Sequence, residues 1–431
     1  MSPRHFQLLG SCFVFALLAI PCAAQNPQTL SLADAEKIAI DNHPQIQAAG
    51  YLAAAAKAQV TQARSAYYPQ AFGSLTGAEA EHDSRIAAGA LNNPIIYDRY
   101  ANGVTVGQLV TDFGRTHELV KSASLHAQAQ QENITTSRAD VLLNVDRAYY
   151  GVLRAQAVLK VAEETVKNRQ LVSDQITELE KNKLKSGLDV SFANVDLAQA
   201  QLLLIQAQNG VQASYADLST ALGYEEGRTF TLAEDATPPA PSPNISDLIA
   251  QALQNRPELI SRRLDVRSAQ SYATAERDLW FPTISAVGAA GLTPVHEEPL
   301  GARYAAAGFN VNIPLFNGHQ FGALRAEANA EAQAQQQYLR DVQNGVVRDV
   351  RKAWLDANAG FQRLSVTDQL LSQATQALDL AQQRYKLGLS SIIELSQAQL
   401  NMTQAEITQA SAKYDYEAAT SALNYEIGIA H

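Results

Sequence analysis

The sequence predicts a mainly α-helical chain that also carries a few β-strands and is built as two copies of one unit. Two proline-free stretches place apolar residues at steps of three and four for about 70 residues each, which indicates very long helices. Two shorter regions alternate apolar residues with polar or small ones, which indicates strands. Residues also recur between the two halves at nearly constant offsets, which indicates an internal two-fold repeat.

The first 24 residues (1–24) are predicted to be a secretory signal peptide. Arg4 precedes an apolar run from Cys12 to Ile20, and the small residues Ala23 and Ala24 follow it. This run is too short to span a bilayer stably. Both cysteines of the sequence lie in this segment, so the mature chain can form no disulfide and no thiolate metal site.

The first repeat is predicted at 25–233 and opens with two short helices. The first helix, Leu30 to Asn42, stops before Pro44, and the second ends at Tyr68-Pro69 because proline cannot continue a helix. The later elements are a β-hairpin at about 70–110, a long helix at about 115–186 and a return helix at about 188–223. A Pro-rich linker at 234–244 then joins the halves.

The second repeat, 245–431, shows the same order with a clearer strand pattern. From Tyr304 to Phe316, alternate residues such as Phe309 and Val311 make an apolar face, whereas Asn310 and Asn312 lie on a polar or small face. The predicted elements are two helices, a hairpin at about 282–316, a long helix at about 318–387 and a return helix at about 389–426. Each repeat therefore supplies two strands.

The offset between the repeats shrinks along the chain. It is 213 residues from Asn42 to Asn255, 204 from Gly114 to Gly318, and 201 from Gly187 to Gly388. We therefore expect a longer hairpin loop in the first repeat, followed by about one extra helical turn in its long helix.

Composition limits the function classes. Without the cation Arg4, 32 basic and 43 acidic residues leave a formal charge of −11, which argues against nucleic acid as a partner. No run of 18 apolar residues follows the signal peptide, so we expect no transmembrane helix and assign any membrane insertion to the strands. Four strands cannot close a barrel alone, so several chains would have to contribute.

Catalysis finds no support in the sequence. The histidines show no metal-ligand spacing, and neither a phosphate-binding glycine loop nor a nucleophile elbow occurs. We therefore predict that the protein is not an enzyme and has no cofactor and no metal site.

Several motifs in matching places carry a family resemblance. They are Asp112-Phe113-Gly114-Arg115, Pro314-Leu315-Phe316-Asn317-Gly318, Lys185-Ser186-Gly187-Leu188 and Arg384-Tyr385-Lys386-Leu387-Gly388-Leu389. With the duplicated order of elements, they make the whole mature chain similar to the TolC-type outer-membrane efflux proteins. The resemblance implies a homotrimer in outer-membrane lipid, with a 12-stranded transmembrane β-barrel continued by a 12-helix periplasmic tube. It further implies an exit duct that works with a periplasmic adaptor protein and an inner-membrane efflux pump or ABC transporter, in efflux or type I secretion.

The same resemblance suggests functional residues. The turns at Gly187-Leu188 and Gly388-Leu389 would be periplasmic tips that contact the adaptor, and we expect both glycines to reverse a helix in the left-handed conformation. Acidic rings often narrow the periplasmic aperture in this family, which points to Glu394 and Asp196, with Asp189 nearer the tip. Solvated charges on an exposed face are the alternative.

Aromatic residues crowd the predicted strand ends and suggest an interfacial girdle, although aromatics that cap β-to-α junctions would look the same. They are Tyr67, Tyr68, Tyr97, Tyr100, Phe113, Trp280, Phe281 and Phe316. Two other functions remain open at this point: a soluble periplasmic coiled-coil scaffold and a stand-alone porin.

Overall fold

A computed structural model describes residues 29–81, 98–234, 236–296 and 301–429. The predicted signal peptide at 1–24 and Tyr97 lie outside the described residues. The described chain is mainly helical and contains one four-stranded sheet, which confirms the expected fold class in outline.

The helices and strands follow the predicted order. They are α1 (Leu32–Asn42), α2 (Pro44–Arg64), β1 (Gln70–Ala78), β2 (Arg99–Thr111), α3 (Arg115–Lys181), α4 (Gly187–Ala221), α5 (Ile245–Asn255), α6 (Pro257–Arg277), β3 (Thr283–His296), β4 (Arg303–Asn312), α7 (Gln320–Lys386) and α8 (Ile392–Glu426). Pro44 and Pro257 open α2 and α6, where the missing N–H of a first-turn residue costs nothing.

The two halves match in length more closely than the sequence offsets indicated. Helices α3 and α7 both have 67 residues, and α4 and α8 both have 35. The extra helical turn expected in the first half is therefore wrong. Equivalent elements lie 213 positions apart before the strands and 205 apart from α3 onward, so the whole difference of eight residues falls between α2 and α3.

The four strands form one antiparallel sheet in the order β1-β2-β3-β4. The register places Val104 opposite Ala290 and Ala290 opposite Ala305, so these residues share one face. That face carries Leu75, Val104, Val106, Ala286, Ala290, Ala305, Phe309 and Val311. The other face is mostly polar or small, with Ser74, Thr105, Ser285, Asn310 and Asn312, although Phe72 and Val287 also lie on it.

Two strand predictions need correction. The strand expected from Tyr304 to Phe316 ends at Asn312, two residues before Pro314, which has no N–H for the ladder. In β2, a register shift between Leu109 and Thr111 takes Val110 out of the alternation that Val104 and Val106 follow.

The main core lies along the middle of α3. Buried residues of α3 pack against α4 and the segment around α1, and they include Val141, Val145, Tyr149, Val152, Leu153, Val211, Leu218, Ala35 and Ala39. The hydroxyl of Tyr149 donates to the backbone oxygens of Leu30 (2.9 Å) and Ala233 (2.7 Å), two segments that are distant in sequence. Tyr149 is fully buried, so it holds the segment before α1 and the segment after α4 together against α3.

The Pro-rich linker is held by two aromatic donors of the second half. The Tyr416 hydroxyl donates to Pro239 O at 2.5 Å, and the indole N–H of Trp354 donates to Ser242 O at 2.8 Å. Because the four prolines of this segment have no backbone N–H, donors from α7 and α8 reach two of its backbone oxygens.

One helix in the described part of the chain, α4, is long and apolar enough to cross a membrane on length and composition alone. The expectation that no such helix exists is therefore too strong. In this fold α4 packs along α3, and its Asp196 accepts a hydrogen bond from Ser396 of α8, while apolar side chains such as Leu202 and Ile205 stay exposed in the single chain.

The aromatic residues expected at strand ends lie mostly at the junction of sheet and helices and are exposed. Phe113 and Phe281 contact each other with ring centroids 6.2 Å apart, and Trp280 meets Phe321 at 5.7 Å. Phe316 is 79% exposed. Tyr100 lies at the opposite end of the sheet.

Candidate functional site: two helical turns and their acidic residues

Two tight turns connect the long helices to the return helices. The first turn, Asn182–Ser186, joins α3 to α4, and the second turn, Leu387–Ser391, joins α7 to α8. The left-handed residue is Lys183 (φ 59°) in the first turn and Gly388 (φ 74°) in the second. Their hydrogen bonds match, because Leu184 N donates to Leu179 O and Leu389 N donates to Arg384 O, both at 2.9 Å.

The first turn corrects one prediction. Gly187 is the first residue of α4 and does not reverse the chain, whereas Gly388 does adopt the expected left-handed conformation. The comparison of the repeats paired Gly187 with Gly388 because the left-handed position of the first turn holds a lysine and not a glycine. Lys183 is the structural equivalent of Gly388.

A serine caps each return helix, with an acidic residue three positions on. In the first turn, Asp189 N donates to Ser186 Oγ (3.3 Å) and Ser186 N donates to Asp189 Oδ2 (3.0 Å), which makes a capping box. In the second turn, Glu394 N donates to Ser391 Oγ at 3.4 Å. Asp189 is therefore the counterpart of Glu394, whereas the sequence offset of 201 between Gly187 and Gly388 would pair Glu394 with Ala193.

Asp189 also connects the two helical hairpins. The Tyr385 hydroxyl of α7 donates to Asp189 Oδ1 at 3.2 Å. Lys185 Nζ lies 3.6 Å from the centroid of the Tyr385 ring and donates to Tyr385 O at 3.4 Å. We call these three residues the clamp, because they are polar side chains that join the first turn to the end of α7.

The ring of Tyr385 is the apolar part of the clamp. It is buried in a small cluster with Ile176, Ala193, Ile392 and Leu395, which come from α3, α4 and α8. The apolar spacing of α7 agrees with a buried position for the Tyr385 ring, but it gives no indication of a role for the hydroxyl. From the sequence, Lys185 stands out only as part of the motif Lys185-Ser186-Gly187-Leu188.

The clamp shifts the pKa of both its acidic groups. Partial burial would raise the pKa of Asp189, but hydrogen bonds from Ser186 and Tyr385, with the charge of Lys185, hold it below its usual value. Burial, the nearby Asp189 charge and the hydrogen bond raise the pKa of Tyr385. At neutral pH the carboxylate is therefore charged and the hydroxyl protonated, which is the combination the hydrogen bond requires.

The other two predicted acidic residues lie in different surroundings. Glu394 pairs with Arg384 at 3.0 Å, and its side chain is 45% exposed. Asp196 is partly buried between α4 and α8, where it accepts a 2.5 Å hydrogen bond from the Ser396 hydroxyl. Its charge also acts on the buried Arg169 of α3, whose pKa is lowered mainly by burial.

The turns also present apolar side chains to solvent. Leu184, Leu188, Leu387, Leu389 and Ile393 are exposed, from 60% for Ile393 to 72% for Leu387. Exposed apolar residues grouped at one end of a molecule are typical of a contact surface. In the described part of the chain, no group of three His, Cys, Asp or Glu side chains is arranged to hold a metal ion.

Comparison with known families shows a match over most of the chain. A family model described as "Outer membrane efflux protein" matches residues 37–224 and 248–428. The gap between the two matched segments contains the Pro-rich linker.

Individual relatives are distant in sequence but similar in extent. The chain is 26% identical to the outer membrane protein TolC of Vibrio cholerae, covering 92% of this chain and 90% of that protein. It is 24% identical to the outer membrane efflux protein BepC of Brucella suis, covering 84% of this chain and 78% of that protein. A crystal structure of a membrane protein from Pseudomonas aeruginosa shares the fold, with a TM-score of 0.80, 21% identity and coverage of 92% of this chain and 93% of that one.

Proposed function

Because this chain belongs to the outer membrane efflux protein family, we infer that it is the outer-membrane exit duct of a tripartite efflux or type I secretion system. It resides in the outer membrane and extends into the periplasm. The observation that carries this function is the sheet with one apolar and one mostly polar face, joined to 67-residue helices. Such a sheet suits lipid on one side and water on the other.

Three copies of the chain would complete the barrel. Strands β1 and β4 are the edges of the sheet within one chain, and lipid does not tolerate the unpaired backbone N–H and C=O groups of such an edge. Because all neighbouring strands are antiparallel, β4 of one copy can pair with β1 of the next without breaking the alternation. The homotrimer, its 12 strands and its 12-helix tube are thus the assembly that we propose, and the exposed aromatics at the sheet ends would form its interfacial girdle.

The partners would bind at the turns. We assign the exposed leucines of both turns, with Gly187 and Gly388, to contact with a periplasmic adaptor protein, which links the duct to an inner-membrane pump or ABC transporter. The support is the exposure of Leu188 and Leu389 at the end farthest from the sheet.

Shortening both turns separates this function from its alternatives. We expect wild-type protein to fractionate with the outer membrane as a heat-resistant trimer, and a variant without 183–185 and 388–390 to do the same but to lose export. A scaffold would stay soluble, and a stand-alone porin would keep its transport. Export that survives in the shortened variant would contradict docking at the turns.

The closed state of the aperture is the second part of this proposal. The clamp joins the two helical hairpins of one chain beside the turns, and we propose that it holds the periplasmic end of the tube narrow at rest. Glu394 is the acidic residue best placed to face the aperture, because its side chain is half-exposed. Asp189 would stabilise the closed aperture through the clamp, and Asp196 would stabilise it through its hydrogen bond to Ser396 of α8.

Glu394→Gln is expected to reduce the preference of the channel for cations. Three copies of Glu394 would gather at the aperture of a trimer, and a ring of carboxylates attracts cations. The reversal potential across a planar bilayer under a potassium chloride gradient measures this preference. Asp174→Asn, which removes an exposed charge on α3, is the matched control and should change little. An unchanged reversal potential in Glu394→Gln would remove Glu394 from the aperture.

A further inference from the structure

One row of residues across the sheet combines two glycines with a tyrosine. Gly103 of β2 lies opposite Gly291 of β3, and Gly291 lies opposite Tyr304 of β4. All three belong to the mostly polar face that also carries Asn310 and Asn312. This row lies at the end of the sheet away from the helices, because β3 starts and β4 ends at the helical side.

The side chain of Tyr304 lies across both glycines. Its hydroxyl reaches Asn102 O on β2, at 3.4 Å, so the ring passes over the whole width of β3. A Cβ atom at Gly103 would overlap the Tyr304 hydroxyl and approach Ala290 O to 2.9 Å. A Cβ atom at Gly291 would overlap the Tyr304 ring and Asn102 O. The two glycines therefore form a recess that only a residue without a side chain can provide.

We propose that this recess holds Tyr304 flat against the barrel wall and so sets the width of the outer mouth of the duct. The inference rests on the proposed trimeric duct, in which the mostly polar face lines the lumen and three copies of Tyr304 surround the mouth. A tyrosine that stood upright from the wall would project its ring into the lumen. The recess keeps an aromatic residue at the mouth without narrowing the path for bulky cargo.

Gly103 is the better of the two glycines for a test. An alanine at Gly103 overlaps only the movable end of the Tyr304 side chain and comes to 2.9 Å from Ala290 O, whereas an alanine at Gly291 overlaps the backbone oxygen of Asn102 itself. Gly107 offers a matched control, because it lies on the same strand and face and a Cβ atom there meets nothing within 4 Å. Alanine therefore carries the same cost in strand propensity at both sites.

Access from outside can be measured with a single added cysteine. Both natural cysteines lie in the predicted signal peptide, so Asn310→Cys introduces one thiol on the lumen face. It lies six residues beyond Tyr304, about 20 Å deeper in the barrel. On intact cells, a maleimide carried on a polyethylene glycol chain must pass the mouth to reach this thiol, and a small maleimide serves as the size control.

We expect Gly103→Ala to slow labelling of the added cysteine by the polymer reagent roughly threefold, with no change for the small maleimide. Gly107→Ala should label like the parent, and the double variant Gly103→Ala/Tyr304→Ala should recover the parental rate. If Gly103→Ala labels at the parental rate, or if the double variant stays slow, the recess does not set the width. If neither reagent reaches the thiol in the parent protein, the lumen assignment and the proposed duct fail together.

Discussion

Asp189→Asn is expected to shift the channel strongly toward its open state. The substitution keeps the size of the side chain but removes the charge that accepts hydrogen bonds from Tyr385 and Ser186. A hydrogen bond to a charged group contributes about 1.5 to 3 kcal/mol, and partial exposure of Asp189 favours the lower end. A shift of about 1.4 kcal/mol changes the ratio of closed to open channels roughly tenfold. Single-channel recording in planar bilayers measures that ratio.

Two further variants separate the clamp from the helix cap, because Asp189 takes part in both. Tyr385→Phe removes only the hydroxyl that reaches Asp189, so it should also favour the open state. Ser186→Ala removes the two hydrogen bonds that the Ser186 hydroxyl makes in the cap and leaves the Tyr385 contact, so it should open the channel less than Tyr385→Phe does. Should Ser186→Ala open the channel as strongly as Tyr385→Phe, the cap and not the clamp would control the aperture.

The pH dependence of the wild-type channel follows from the same groups. The pKa of Asp189 is lowered in the folded protein. The carboxylate therefore stabilises the closed state fully above the usual aspartate pKa, and this stabilisation is lost as the pH falls through the lowered pKa. The pKa of Tyr385 is raised in the folded protein. Its protonated hydroxyl therefore stabilises the closed state fully below the usual tyrosine pKa, and this stabilisation is lost only as the pH rises through the raised pKa. Opening should therefore rise below about pH 4 and stay flat through neutrality. An opening transition near pH 6 or 7 would contradict this role for Asp189.

Tyr149→Ala is expected to cause the largest loss of stability. Tyr149 is fully buried in the core of α3, and truncation of a large buried aromatic side chain costs about 3 to 5 kcal/mol. Its hydroxyl also donates to the backbone oxygens of Leu30 and Ala233; Leu30 O would keep its bond from Ala233 N, whereas Ala233 O would lose the Tyr149 bond. The midpoint of guanidinium unfolding, followed by the helical circular dichroism of purified protein, measures the loss.

Tyr149→Phe is the matched control for this prediction. Phenylalanine keeps the ring and loses only the two hydrogen bonds, so the cost should be about 1 to 3 kcal/mol. The two variants together divide the contribution of Tyr149 into packing and hydrogen bonding. Equal unfolding midpoints for Tyr149→Ala and the wild type would show that this core does not limit stability.

The long helices were predictable because their signal is local and repeated many times. Apolar residues spaced three and four positions apart along α3 and α7 allow no structure but a long helix, and prolines mark the starts of α2 and α6. Errors concentrated where one residue decides the geometry. Lys183 occupies the left-handed position that glycine usually takes, so the comparison of the repeats chose Gly187 and shifted the alignment there by four residues.

The candidate site was only partly predictable, for a different reason. The acidic residues Asp189, Asp196 and Glu394 could be named from a family resemblance, but their partners lie on other helices. Tyr385 is 196 positions from Asp189, and Ser396 is 200 positions from Asp196. No periodic pattern reports a contact between residues so far apart, so the clamp could not be found before the helices were packed.

The sequence by itself determined the long helices, the four strands with their two unlike faces and the family, because each depends on patterns or motifs that recur along the chain. Only the tertiary structure decided which residues meet between elements: Asp189 with Tyr385, Tyr149 with two distant backbone segments, and Tyr304 with the glycines of its neighbouring strands. The physical reason is that such contacts arise from the packing and register of whole elements, to which hundreds of residues contribute together.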